Sequence, residues 1–340
     1  MQRMIVSAAV FFAVVATFLF SSSDSARADV LSEIRERGDL RCGVYPDDPG
    51  RSAINRQGRW EGFYVDFCRA VAAAVLGDGD AVRFVEVGPQ SRFSALVEHK
   101  ADVVMYSSTW TLGREAAYGI AFPAVYLFDG QGLMVRTNAG IHALADLNGR
   151  RVCVTAGTTT LANLENILRR EDIKAKVVLA NGDAFFRGNC DAYSADRINL
   201  ATNRANRADD PERYEILPLM LSREPIGPMV RDDDGQWIRI VRSVVHAVIV
   251  AEELGLSRNS IDQADAAIGA VEQENLLGHN PEISRSLGLD RDWAVRVVRE
   301  VGNYGEIFDR NFGPQTPIGL ERGINRLWSQ GGLLYSPLFK

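Results

Sequence analysis

The sequence predicts an α/β protein folded as two lobes, each built on a parallel-rich sheet. Three observations carry that expectation. Strand-like runs at 40–44, 83–87 and 101–106 alternate with helical patterns at 65–76 and 91–98, which is the rhythm of βαβ units. The rhythm restarts after Gly132 as a second, shorter series. Beyond Arg231 the chain reads as helical, so those helices need a sheet laid down earlier in the chain.

The elements follow in order. Residues 1–28 stand apart from the fold. Arg3 gives a basic start, residues 5–20 carry no charged side chain, and SSSDSARA follows with Ala26 and Ala28 in an A-x-A pattern. That is the layout of a secretory signal peptide cleaved after Ala28, and the apolar run is shorter than the ~20 residues of a spanning helix. The product is therefore expected to be exported.

In the first series, LRCGV at 40–44 is a strand, and VDFCRAVAAAVL at 65–76 is a helix closed by Gly77. The second series reads as strands at 133–135, 151–155, 176–179 and 191–194, with a helical turn at 143–147 and helices at 160–170 and around Ala184. Residues 204–213 are charged, contain Pro211 and read as a surface loop. The last strand candidates are 214–217 and 226–230. From 237 to 252 apolar residues fall at 237, 238, 241, 244, 245, 248 and 249, the stripe of an amphipathic helix, and 291–312 and 324–328 continue the helical theme.

The C-terminal helices have something to cover only if the chain returns to the first sheet. That predicts a first lobe of 29–131 plus 229–340, an inserted second lobe of 132–228, and a hinge near 128–134 and 224–230. The competing plan is two consecutive domains, but no Pro/Gly/Ser-rich linker supports it.

Composition narrows the function. With 38 Lys+Arg against 44 Asp+Glu the net charge is −6, which argues against nucleic acid as a partner. Cys42, Cys68, Cys153 and Cys190 lie in a chain expected to be exported, where disulfides are the default. Three pairings are possible. Cys42–Cys68 and Cys153–Cys190 keep each pair within one half of the chain. Zinc is the rival, but no pair has C-x2–4-C spacing and the four histidines are scattered; buried free thiols are the other alternative. No metal and no cofactor are expected.

Ligands of open α/β sheets bind beyond the carboxyl ends of the strands. After 151–155 comes AGTTTLANL, where Gly157 turns the chain and Thr158, Thr159 and Thr160 lead into a helix, an anion site too short for a nucleotide loop. After 101–106 comes SSTWTLGR, where Ser107, Ser108, Thr109 and Thr111 precede Arg114, a carboxylate clamp, and Trp110 offers a flat wall. After 191–194 comes Asp196, an acid for an ammonium. Each has a plain alternative: a helix cap for Thr158 and for Asp196, a surface arginine for Arg114. Together they complement a zwitterion, with no nucleophile–base pair.

These segments resemble the periplasmic solute-binding proteins of polar amino-acid ABC importers, and within them the general L-amino-acid-binding subfamily. The motifs run from IRERGDLRCGV through GRWEGFYVDFCRA, STWTLGRE, FDGQGLMVR, GTTTLANL, CDAYSAD, EPIGPMVR and VGNYGEIFDRN to GINRLW. The resemblance implies the type II bilobed fold, closing on an amino acid or close analogue and docking on a membrane permease. It implies that Arg114 binds the α-carboxylate with help from Thr109, Thr111 and Thr159 near Thr158, and that Asp196 pairs with the α-ammonium. Both cysteine pairs match the subfamily.

Departures fall around the ligand side chain. Arg51 stands where relatives carry an aromatic, Tyr106 and Ser107 replace an Arg and an Asn, and Ser194-Ala195-Asp196-Arg197-Ile198 replaces T-T-D-Q-S. They imply a rebuilt pocket, for a ligand with an extra acidic or polar group that Arg51 meets. The expected protein is a monomer and not an enzyme. The alternatives are a dehydratase of the cyclohexadienyl type, which needs a cleft acid not evident in the sequence, and a sensory ligand-binding module.

Overall fold

The computed structural model describes residues 29–266 and 270–340, and the expected leader at 1–28 lies outside them. Among the described residues no helix is long and apolar enough to cross a membrane.

The first sheet is all parallel, with Leu40–Val44 between Val82–Glu86 and Val103–Val104. Helix Phe63–Leu76 covers it. Gly62 begins that helix at φ 127°, and a Cβ there would stand 2.4 Å from the Arg51 carbonyl, so only glycine fits. Helix Gly235–Glu253 buries Trp237, Ile240, Val241, Val244, Val245 and Val248, as its stripe requires, and Asp234 caps it by accepting from the Trp237 N–H at 2.9 Å. Each such fully buried apolar side chain contributes about 1.5–3 kcal/mol of transfer free energy. Helix Trp293–Val301 packs against Phe63–Leu76.

The second sheet runs Lys176–Leu179, Arg151–Val154, Ala192–Asp196, Gln131–Arg136, Tyr214–Ile216. Its first three strands are parallel; the other two join antiparallel. The chain leaves the first sheet through Leu127–Asp129 and returns through Glu224–Ile226, and these crossing segments pair antiparallel with Phe128 opposite Pro225. The Asn325 side chain holds the outgoing segment at both polar groups of one residue: its amide donates to the Phe128 carbonyl at 2.9 Å and its oxygen accepts from the Phe128 N–H at 2.7 Å.

Cys42 and Cys68 are bonded, as are Cys153 and Cys190, with one disulfide under each sheet.

Four expectations need correction. Helix Arg197–Arg207 runs into the stretch read as a loop, because Ile198, Leu200, Ala201 and Thr202 give it a buried face. The run 226–230 is not one strand: Gly227 and Pro228 break it, and Val230–Arg231 pairs separately with Ile120–Ala121. The helical stretch 291–312 is interrupted at Gly302 and restarts as Tyr304–Asn311, where Asn303 and Glu306 form a capping box. Around 324–328 only single 3-10 turns form, Gly323–Asn325 and Trp328–Gln330.

Candidate functional site

Between the two sheets lies a cavity of about 130 Å³, room for on the order of ten waters. Its walls come from both sides. The first-sheet side supplies Tyr45, Asp48, Arg51, Arg92, Tyr106, Ser107 and Arg114; the second supplies Thr155, Thr158, Thr159, Thr160, Tyr193, Asp196 and Asn199. The facing surfaces touch at the rim, so the arrangement is closed. Thr109 Oγ1 and Thr159 Oγ1 are 3.3 Å apart, and Arg207 reaches Asp47 at 3.0 Å and Asn206 the Pro49 carbonyl at 3.3 Å.

Arg114 lies in the first turn of Leu112–Tyr118. Thr111 caps that helix by accepting from the Arg114 N–H at 3.1 Å, and the Thr109 carbonyl accepts from Arg114 Nη1 at 2.7 Å. Both threonines therefore hold the arginine, and neither lines the cavity. Trp110 does not line it either. Its ring stacks on Phe122 at 6.1 Å within an apolar cluster, so it is packing and not a ligand wall.

On the other side, Gly157 at φ 74° turns the chain into helix Thr159–Arg170. Thr158 occupies the cap position yet donates its hydroxyl to the Thr155 carbonyl at 2.6 Å, so no side chain caps the first-turn N–H groups. They remain available to an anion, with the helix dipole behind them.

Asp196 precedes helix Arg197–Arg207 but does not cap it either. Asp129 does, accepting from the Ile198 N–H at 3.0 Å. Asp196 is thereby left in the cavity with one oxygen buried and without a hydrogen-bond partner. Burial pushes its carboxyl well above the usual range, and the charges of Asp129 and Glu224 push the same way against Arg51 and Arg114. Burial also raises Asp129, to about 6, against the N–H groups of Gly130 and Ile198.

Arg51 lines the cavity but is already engaged. Its guanidinium pairs with Asp48 at 2.6 Å and donates to Ser107 Oγ at 2.9 Å, and Ser107 also meets the Tyr64 hydroxyl at 2.7 Å. These contacts occupy the two Nη groups, while Arg51 Nε has no acceptor.

Arg92 is a lining residue that sequence reasoning missed. It is 1% exposed, lies over the rings of Phe93 and Tyr106 at 4.7 and 5.0 Å, and forms no ion pair among the described residues. Its Nε has no acceptor. Burial lowers its pKa to about 10, with Tyr106 opposing. Glu224 was missed too; it is 2% exposed and accepts from Thr159 Oγ1 at 3.1 Å.

The charges sort simply. Arg51 is matched by Asp48, and Arg207 by Asp47 and Asp183. Arg92, Arg114 and Asp196 are left without an ion-pair partner among the described residues. Among those residues no group of three or more His, Cys, Asp or Glu is arranged to hold a metal ion.

Residues 40–259 match the family model for bacterial extracellular solute-binding proteins, family 3. The chain is 40% identical over 324 residues to the glutamate/glutamine/aspartate/asparagine-binding protein BztA of Rhodobacter capsulatus, covering 93% of this chain and 95% of that one. It is 38% identical to the general L-amino acid-binding periplasmic protein AapJ of Rhizobium johnstonii, covering 99% of each. Among solved structures it is similar to a periplasmic binding protein from Brucella ovis with glutathione bound, at 36% identity and a TM-score of 0.88 over 92% of this chain and 100% of that one.

Proposed function

Because the chain belongs to the bacterial extracellular solute-binding proteins, family 3, we propose that it is a periplasmic receptor for an α-amino acid with a second carboxylate. It closes on that ligand between its lobes and delivers it to an ABC permease. The observation that carries this reading is the set of cavity-lining charges without an ion pair: two guanidinium groups, Arg92 and Arg114, and one carboxylate, Asp196, with the Glu224 carboxylate held by neutral donors behind the wall. Burying a zwitterion is tolerable only when each charge meets a partner. Two cations and one anion are the complement of two carboxylates and one ammonium.

In this reading Arg114 and the N–H groups at Thr159 take the α-carboxylate, Asp196 takes the α-ammonium, and Arg92 takes the second acid. Thr109 and Thr111 act through Arg114, and Arg51 and Ser107 shape the wall. The lobes are 29–131 with 229–340, and 132–228. The leader is removed after Ala28, and the mature chain acts as a monomer without nucleic acid. The binding proteins named above support an amino-acid ligand and a transport role, not catalysis.

A second reading is favoured by the Brucella ovis structure. Glutathione also carries two carboxylates and one ammonium, on a longer frame. Calorimetric titration with glutamate, aspartate, glutamine, leucine and glutathione separates the two. We expect glutamate or aspartate to bind at least tenfold tighter than leucine. Preference for glutathione would select the second reading, equal binding of leucine would remove the second acid, and no heat with any of them would overturn the receptor reading.

A further inference from the structure

The second crossing segment carries a carboxylate that the ligand scheme above does not use. Glu224 is 2% exposed and faces Asp129 across the pairing of the crossing segments. Three neutral groups donate to it: Thr159 Oγ1 at 3.1 Å, Asn163 Nδ2 at 2.9 Å and Ser222 Oγ at 2.5 Å. Its backbone is fixed as well, because the next residue, Pro225, accepts from the Trp110 N–H at 2.7 Å and Ile226 bridges to Thr109.

We infer that Glu224 is a positioning residue that fixes the direction of a hydroxyl chain across the cleft and so tunes the site for the ligand's ammonium. The inference rests on the amino-acid reading above. A hydroxyl has one proton. Thr159 gives its proton to Glu224, which as a carboxylate only accepts. The 3.3 Å contact between Thr109 and Thr159 must then run from Thr109 to Thr159. With both protons committed, the Thr159 hydroxyl, the one of the two that lines the cavity, offers the ligand only a lone pair. Lone pairs suit an N–H donor and repel a carboxylate. Glu224 thereby assigns this part of the rim to the ammonium and leaves the α-carboxylate to Arg114 and the helix N–H groups.

Glu224→Gln keeps the shape and reverses the logic. The amide oxygen can still accept from Asn163 and Ser222, while the amide nitrogen donates to Thr159 and frees its proton. Thr159→Val removes the chain and leaves Glu224 in place. The probe is whichever of glutamate and aspartate binds tighter, paired with its analogue lacking the amino group, glutarate or succinate. Calorimetry gives the preference for the amino acid over that analogue.

We expect the preference to fall at least tenfold in Glu224→Gln and to fall also in Thr159→Val. A merely structural role would weaken both ligands alike and leave the ratio unchanged. An unchanged ratio in the variants, with wild type binding normally, overturns this inference alone. If Glu224→Gln does not fold, Thr159→Val decides by the same ratio. No heat with wild-type protein for any amino acid overturns the receptor reading and this inference with it.

Discussion

Asp196→Asn separates affinity from stability in opposite directions. The change is nearly isosteric and removes one negative charge from a cavity where that charge has no partner of its own. A unit charge pair about 4 Å apart at an effective dielectric of 20 is worth about 4 kcal/mol. Part of that goes to expelling the proton that burial, Asp129 and Glu224 favour on Asp196 in the empty site. A net loss of about 2–3 kcal/mol remains, roughly a 30- to 150-fold weaker dissociation constant. The empty protein responds the other way. The variant no longer confines to the cavity a carboxyl whose charged form burial disfavours, so at pH 8 its melting temperature rises. The assay is calorimetric titration with glutamate or aspartate beside thermal melts without ligand. Affinity within threefold of wild type, or a lower melting temperature at pH 8, would refute the reasoning.

Arg114→Ala should weaken every amino acid at least tenfold, about 1.4 kcal/mol; an unaltered titration would remove the carboxylate clamp. Arg92→Met should abolish the preference for acidic over neutral ligands and keep neutral binding, and parallel losses for both would show that Arg92 only packs. The pH dependence has a definite sign. Asp129, raised from 3.8 to about 6, and Asp196, also raised by burial, hold protons in the folded protein that the unfolded chain releases. The stabilisation from Asp129 is complete below about pH 4 and is lost as pH rises through 6, and that from Asp196 is lost in the same direction. An ammonium favours the ionised pair, so binding near pH 6 releases a proton and affinity climbs from pH 5 to 7; identical heats in buffers of different ionisation enthalpy would contradict this. Replacing Cys153 and Cys190 by serine opens a loop of sequence separation 37, which chain entropy values at about 4 kcal/mol. A urea midpoint unchanged in that double variant would show that the bond is dispensable.

What could be read from the sequence is what local pattern encodes. The βαβ rhythm, the restart after Gly132 and the long stripe in Gly235–Glu253 are periodic signals, and each forms the element it implies. Arg114 and Asp196 were found because they follow strand ends, and both line the cavity. What escaped depends on contacts between distant segments. Asp196 sits where a local rule assigns a helix cap, and only Asp129, brought alongside by the crossing segment, takes that duty away. Arg92 lies in Ser91–Val97, a helix of ordinary composition, and its lack of an acid partner exists only once the fold surrounds it. Arg51 looked available because Asp48, three residues earlier, gave no sign of folding back on it. The Thr109–Trp110–Thr111 run promised three ligand contacts by composition, but backbone geometry turned those residues to supporting Arg114 and filling the core.

The Asn325 clamp has a practical corollary. Unpaired main-chain groups on an outer strand invite another chain to add on. Here one amide near the C-terminus fills the place such an added strand would take, at the ribbon where the two halves of the molecule are tethered. Trimming the tail back to the family-matched core, or fusing a reporter close to residue 325, would uncover that ribbon. Asn325→Ala, which leaves the Phe128 N–H and carbonyl unpaired, is therefore expected to self-associate at concentrations where the wild type does not.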